Sequence, residues 1–237
     1  IRKNKLKKDL ALIVSAVPAA CACVYTQNLV QGAPIAVTKE NVANGYAQAI
    51  ICNSGNANTC NWNGVEIAQK MCQLVGKTLG ISPSDVVVAS TGVIGKPLSI
   101  EPIAEGIPVL AGLLAQDSNG AAEAIMTTDV KKKEIAVEFT LGGAVCRMGG
   151  IAKGSGMIQP NMATMLGFIT TDAAITPQML QKALSADVPE SFNMVSIDGD
   201  TSTNDMVTIL ANGLAGNPIV DSEGADYDAF CAALRKV

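Results

Sequence analysis

Thr164 sits in the segment Met162-Ala163-Thr164-Met165-Leu166. On its own it is a threonine ahead of a strand. Its surroundings give it a second reading. The backbone-rich stretch Gly149-Gly150-Ile151-Ala152-Lys153-Gly154-Ser155-Gly156 leads towards it, and Pro160 and Asn161 disfavour regular structure just upstream. An apolar strand over residues 165–170 follows. That layout suits a chain that cuts itself in a strained loop and leaves a threonine on a rigid strand. A threonine freed as an N-terminus carries its own base. Its α-amine has a reference pKa of roughly 7.7–8.0, close to what a general base at neutral pH needs, and can activate the hydroxyl of the same residue. The chain has no histidine. Ser-His-Asp and Cys-His catalysis are therefore excluded within it, and covalent chemistry must draw its base from a lysine, a carboxylate or a free terminal amine.

Three other groupings could serve such a nucleophile. Thr91-Gly92 ends a hydrophobic strand. It is either an ordinary strand-ending turn or an oxyanion hole, with a backbone N–H and a hydroxyl aimed at one point. Lys153 precedes Gly154, which is the wrong order for a phosphate loop, but a lysine on a glycine-rich approach can present an ammonium to a bound carboxylate. The run Asp198-Gly199-Asp200-Thr201-Ser202-Thr203-Asn204-Asp205 fails as a calcium loop, because its sixth position is Thr203 and its twelfth is Ile209. It is expected to cap a following helix, with placement beside the active site as the alternative. Seven cysteines at irregular spacing, with no histidine, make no zinc pattern. They are expected to be free, mostly buried thiols of a reducing compartment, so no metal is expected.

These groups need a core to position them. The 237 residues are 49% hydrophobic and 16% charged, a globular balance. Aromatics are only 3%, so the core must be built from small aliphatic side chains. The net charge of −4 argues against nucleic-acid binding, and the basic run Arg2, Lys3, Lys5, Lys7, Lys8 reads as a solvated turn. The apolar residues that follow it mimic a signal peptide but are too short for a span and are broken by Ser15 and Pro18. No membrane segment and a cytoplasmic location are expected.

The pattern predicts a strand over residues 10–14 followed by a turn, and a strand over 47–52 that ends in the loop Asn53-Ser54-Gly55-Asn56-Ala57-Asn58. Val65, Ala68, Met71, Cys72, Val75 and Leu79 recur at helical spacing, with Gly80 as the stop. Strand 85–90, helices 100–115 and 121–126, and a hairpin turning at Leu141-Gly142-Gly143 between strands 134–140 and 144–148 come next. Thr176-Pro177 caps a helix over 178–186; a strand over 193–197 and a helical stretch over 206–211 close the chain. The expected class is α/β, as mixed α+β layers with antiparallel pairs.

The segments Asn53 to Asn58, Ser90-Thr91-Gly92-Val93-Ile94-Gly95, Lys153-Gly154-Ser155-Gly156-Met157 and Met162 to Leu166 occur in the order seen in the ornithine acetyltransferase (glutamate N-acetyltransferase) family of arginine biosynthesis. Thr127-Thr128-Asp129 and the run from Asp198 to Asp205 also resemble family segments, so the resemblance covers essentially the whole chain. It implies cleavage between Ala163 and Thr164, with Thr164 as the acetyl-accepting nucleophile. It implies Thr91 and Gly92 at the oxyanion hole, and Thr127, Lys153 and Thr164 in contact with substrate. It divides the chain into an α-chain-like region, 1–163, and the start of a β-chain region, 164–237. It further implies a self-processing, N-terminal-nucleophile-like fold shared with a self-cleaving aminopeptidase family, and an α2β2 assembly. The substrates implied are N2-acetylornithine and glutamate, with no cofactor and acetyl-CoA as an optional co-substrate.

Two departures stand out. Gln159 replaces the histidine many relatives carry before the proline, and the chain ends at Val237, short of a complete family member. The competing expectations are a self-processing threonine aminopeptidase or amidase that passes the acyl group to water, and an inactive, uncleaved fragment with a binding role.

Overall fold

The computed structural model describes residues 7–156, 165–195 and 201–237. Among these, the elements run β1 (Leu10–Tyr25), α1 (Ala33–Asn41), β2 (Tyr46–Asn56), α2 (Gly64–Leu79), β3 (Val86–Val93), α3 (Glu101–Gly112), α4 (Asn119–Ala124), β4 (Lys133–Leu141), β5 (Ala144–Lys153), β6 (Leu166–Thr171), α5 (Pro177–Asp187), β7 (Met206–Ala211) and α6 (Ala225–Lys236). The strands form one hydrogen-bonded sheet in the order β3-β2-β1-β7-β6-β5-β4. The β2–β3 and β6–β7 pairs are parallel; the other neighbours are antiparallel. The expected mixed α/β layers are present.

The sheet is folded over on itself. Ile50, Cys52, Val87 and Ala89 from β2 and β3 share one buried cluster with Ile151, Leu166, Phe168, Met206 and Leu210 from β5, β6 and β7. In a flat sheet, at about 4.8 Å per strand, β3 and β6 would lie some 19 Å apart and could not touch. Alternate residues face outwards. Ala49, Ile51, Val86 and Val88 pack under α1, α2 and α3, while Met148, Ile169, Val207 and Ile209 pack under α5 and α6. The layers therefore read helix, sheet, sheet, helix. Each buried Val, Leu, Ile or Met side chain stabilises this packing by roughly 1.5–3 kcal/mol, which is how a core poor in aromatics is sustained.

Strand β1 bridges the two halves. The turn expected after residue 14 is instead an irregularity inside one strand. Val14 faces Ala49 and Ala19 faces Ala47, so residues 15–18 oppose Gln48 alone. Pro18, which has no N–H for a ladder, falls where none is required.

Two other expectations are corrected. Residues 206–211 form β7, not a helix. All six are buried, between β1 and β6, and a short apolar run buried on both faces carries no period to tell strand from helix. Residues 192–194 form a 3-10 turn where a strand was expected; β7 takes the place beside β6, and residues 196 and 197 lie outside the described residues. Helices α1 and α6 were not anticipated. The Gly142-Gly143 hairpin, with φ of +52° and +85°, is as expected, and so is the Thr176 cap, whose hydroxyl accepts from the Met179 N–H at 3.4 Å. Among the described residues no helix is long and apolar enough to cross a membrane.

Candidate active site

Asn53 to Asn56, expected to be loop, form the end of β2, and Ala57 and Asn58 follow it outside the strand. Asn53 lies beside Ser90, Ser54 beside Thr91 and Gly55 beside Gly92 across the parallel β2–β3 pair. Asn53, Ser54 and Asn58 are fully buried. Burying such groups is tolerable only when they are hydrogen-bonded, and here they are. Ser90 Oγ donates to Asn53 Oδ1 at 2.6 Å, Asn53 Nδ2 donates to the Asn56 carbonyl at 2.9 Å, and Ser54 Oγ donates to the Ala124 carbonyl. The Asn56 side chain accepts from the Asn58 N–H at 2.8 Å and donates to the Lys96 carbonyl at 3.0 Å.

This network fixes the corner that carries Thr91 and Gly92. Gly92 has φ +130°, and a Cβ there would lie 2.3 Å from the Gly55 carbonyl carbon. Two backbones meet at a separation that only glycine permits. Asn204 holds the same corner from the other half of the molecule. Its Nδ2 donates to the carbonyls of Ala57 at 2.7 Å and Ser90 at 3.0 Å, and its Oδ1 accepts from the hydroxyls of Thr59 and Thr203, each at 2.6 Å. Residues 201–205 therefore brace the strand that carries Thr91 and lead into β7. The expected helix cap is corrected: these residues lie against the Ser90-Thr91 strand instead. Residues 198–200 lie outside the described residues.

Lys153 is the last residue of β5 and is only 2% exposed. Residues 149–153 are thus strand, not a flexible approach. Lys153 Nζ donates to Thr91 Oγ1 at 3.3 Å. Burial pushes the ammonium below the usual lysine range, Asp129, Cys52 and Asp205 act to raise it, and Lys133 adds to the lowering. A hydroxyl that accepts from an ammonium keeps its own proton free to donate, and the nearby charge strengthens that donation.

Thr127 is half-buried in the turn after α4. Its N–H donates to Asp129 Oδ2 at 3.2 Å, while Asp129 Oδ1 accepts from the Gly154 N–H at 2.8 Å and from Lys133 Nζ at 2.6 Å. Thr127 is thereby drawn to the end of β5, next to Lys153. On the opposite strand, the Met165 N–H donates to Asp205 Oδ1 at 2.8 Å, and the Met165 carbonyl accepts from the Met206 N–H at 3.1 Å. Thr91, Gly92, Lys153 and the Thr127 turn are therefore brought together, with the anchored start of β6 beside them. Ala163, Thr164, Gln159 and Met157 lie outside the described residues.

Sequence reasoning gave no individual role to Asn204, Asp205 or Asp129. Each acts in part through partners more than 20 residues away: Gly154 for Asp129, Met165 for Asp205, and Ala57, Thr59 and Ser90 for Asn204. The only signal available was membership of polar runs next to apolar strands. The cysteines are free as expected; five are buried, Cys231 is half-buried and Cys60 is exposed.

Comparison with known proteins follows the same lines. The arginine biosynthesis bifunctional protein of Symbiobacterium thermophilum is 52% identical over 233 residues, which is 98% of this chain and 58% of that protein. Its counterpart from Bacillus anthracis is 50% identical over 239 residues, with 99% and 58% covered. The chain thus spans 58% of the length of these curated relatives. Among solved structures, the corresponding protein of Bacillus halodurans matches with a TM-score of 0.62 and 42% identity over 68% of this chain and 85% of that one. The ornithine acetyltransferase of Mycobacterium tuberculosis, solved in complex with ornithine, matches with a TM-score of 0.56 and 30% identity over 64% and 82%. The family match runs from residue 1 to residue 237, and this chain belongs to the ArgJ family.

Proposed function

We propose that this chain carries the nucleophile and oxyanion hole of a self-cleaving acetyltransferase that moves the acetyl group of N2-acetylornithine to glutamate, in arginine biosynthesis. The observation that carries this reading is the buried Lys153 ammonium donating to Thr91 Oγ1 at 3.3 Å. It sets a charge-backed hydroxyl donor beside the Gly92 corner and within reach of the strand that follows Thr164. That the Mycobacterium tuberculosis relative was solved in complex with ornithine supports an amino-acid substrate.

In this reading Thr164 Oγ attacks the Ala163 carbonyl, the Ala163–Thr164 C–N bond breaks as the hydroxyl proton passes to the Thr164 nitrogen and frees its amine, and water then hydrolyses the ester to an Ala163 carboxylate and the Thr164 hydroxyl. Cleavage separates the part up to Ala163 from the part that begins at Thr164, and the two stay joined because β6 and β7 lie between β5 and β1 in one sheet. The freed amine then takes the proton of its own hydroxyl. Thr164 Oγ attacks the acetyl carbonyl of acetylornithine, and the tetrahedral oxyanion faces Thr91 and Gly92. Ornithine leaves with the proton, and the amine of glutamate attacks the acetyl-Thr164 ester to complete the transfer. Thr127 and Lys153 orient the amino-acid ends of both substrates. Acetyl-CoA as an additional donor would enter by the same acylation. An α2β2 assembly and a cytoplasmic location belong to the same proposal.

Donor turnover with and without glutamate separates transfer from hydrolysis. Sustained ornithine release that depends on glutamate supports the transferase. Release that continues equally without glutamate would make the protein an amidase or aminopeptidase.

A further inference from the structure

Asp129 is a buried acid with no step of its own in that chemistry. Its side chain is 0% exposed, although aspartate is rarely buried without strong partners. It has three. Oδ2 accepts from the Thr127 N–H at 3.2 Å, and Oδ1 accepts from the Gly154 N–H at 2.8 Å and from Lys133 Nζ at 2.6 Å. The first two come from the turn after α4 and from the end of β5, and they sit next to the two side chains assigned to the substrate. We propose that Asp129 is the positioning residue that sets Thr127 and Lys153 at a fixed separation, so that an amino-acid substrate engages both at once. This inference rests on the assignment of Thr127 and Lys153 given above.

The geometry favours a carboxylate in particular. Each of its oxygens faces a backbone N–H donor. An asparagine offers one acceptor oxygen and one NH2 group, so at position 129 one of the two N–H groups would face another donor. Leaving a buried donor unpaired costs more than the bond itself contributes. The link between the turn and the strand would open on one side. A second connection, Thr128 Oγ1 to Ser155 Oγ at 2.6 Å, is exposed and joins only side chains. Lys133 approaches from the outer side, about half exposed, and holds neither Thr127 nor Gly154.

Asp129 also faces Lys153 electrostatically. Of the groups around that ammonium, Asp129, Cys52 and Asp205 favour its charged form and Lys133 opposes it. Replacing Asp129 by a neutral residue should therefore let Lys153 lose its proton at lower pH, an effect that a purely space-filling role would not produce.

The test compares the wild-type chain with Asp129→Asn and Lys133→Met. Four quantities are followed: amide hydrogen exchange at Thr127 and Gly154, ornithine affinity by calorimetry, the rate of self-cleavage, and the Lys153 Nζ titration by NMR. Asp129→Asn is expected to speed exchange at one or both amides, to weaken ornithine binding by at least about tenfold, to alter self-cleavage by less, and to lower the pH at which Lys153 titrates. Lys133→Met is expected to stay within about twofold of wild type in affinity. If Asp129→Asn alone does not fold, the double variant Asp129→Asn with Lys153→Met is compared with Lys153→Met, and it should bind ornithine more weakly still. Equal affinity in that pair, or unchanged exchange at both amides in Asp129→Asn, overturns the positioning role. A wild-type protein that binds no ornithine contradicts the substrate assignment instead, and amide exchange then still decides the role of Asp129.

Discussion

Lys153 Nζ and Thr91 Oγ1 lie 3.3 Å apart, yet their strands, β5 and β3, stand five places apart in the sheet. In a flat sheet that is about 24 Å. The contact exists because the sheet folds around the bent strand β1, so the packing of the two halves and the assembly of the site are one event.

Removing the Thr91 hydroxyl should leave the fold intact and slow the chemistry. In Thr91→Val the β-branched shape suits β3, but the donor is lost. Loss of one oxyanion donor costs on the order of 3 kcal/mol, about a hundredfold in rate. Both self-cleavage and acetyl transfer should slow by that order, with far-ultraviolet circular dichroism unchanged. Unaltered turnover would remove Thr91 from the reaction.

Lys153→Met should weaken binding of amino-acid substrates more than it slows cleavage, and should not lower the Tm at neutral pH. Burial pushes the Lys153 ammonium below the usual lysine range. The unfolded chain therefore holds this proton more tightly than the folded one. It follows that Lys153 makes stability rise with pH between its depressed folded value and the ordinary value of 10.5. That slope should be absent from the variant when unfolding is followed against pH. A steep fall in Tm at neutral pH would show instead that the ammonium stabilises the fold.

Thiol chemistry offers an independent check on the layers. Cys60 is exposed, whereas Cys52 and Cys72 are buried and their thiols are pushed up to about 12 by burial; the Lys153 charge partly offsets this at Cys52, and the Asn41 side chain does so at Cys72. Thiolate is the reacting species. Alkylation of the native protein should mark Cys60 first, with Cys52 and Cys72 labelled only after unfolding. Labelling of Cys52 at the rate of Cys60 would mean that the inner layer between the sheet halves is open.

Part of the fold and of the candidate site was legible in the sequence because those pieces are local. Thr91-Gly92 at a strand end, Lys153 before a glycine and the Thr176 cap each depend on neighbours in the chain. What escaped depends on distance. Asn53, Ser54 and Asn56 look like a loop until the other half of the sheet covers them. Met206 to Ala211 looked helical because a strand buried on both faces shows no alternation. Lys153 was expected on a flexible glycine-rich approach, and its burial at the end of β5 became visible only with β3 in place. The roles of Asp129 and Asn204 follow from hydrogen bonds that no spacing rule encodes.

The central claim is that Thr164 is the nucleophile, and intact-mass analysis of purified wild-type and Thr164→Ala chains tests it most directly. One hydroxyl is proposed to serve both the self-cleavage and the acetyl transfer, so its removal must stop the first as well as the second. The account predicts two wild-type fragments, the second beginning at Thr164, and a Thr164→Ala chain that stays whole. Cleavage of the Thr164→Ala chain at the wild-type rate, or a wild-type cut at any other bond, would contradict it.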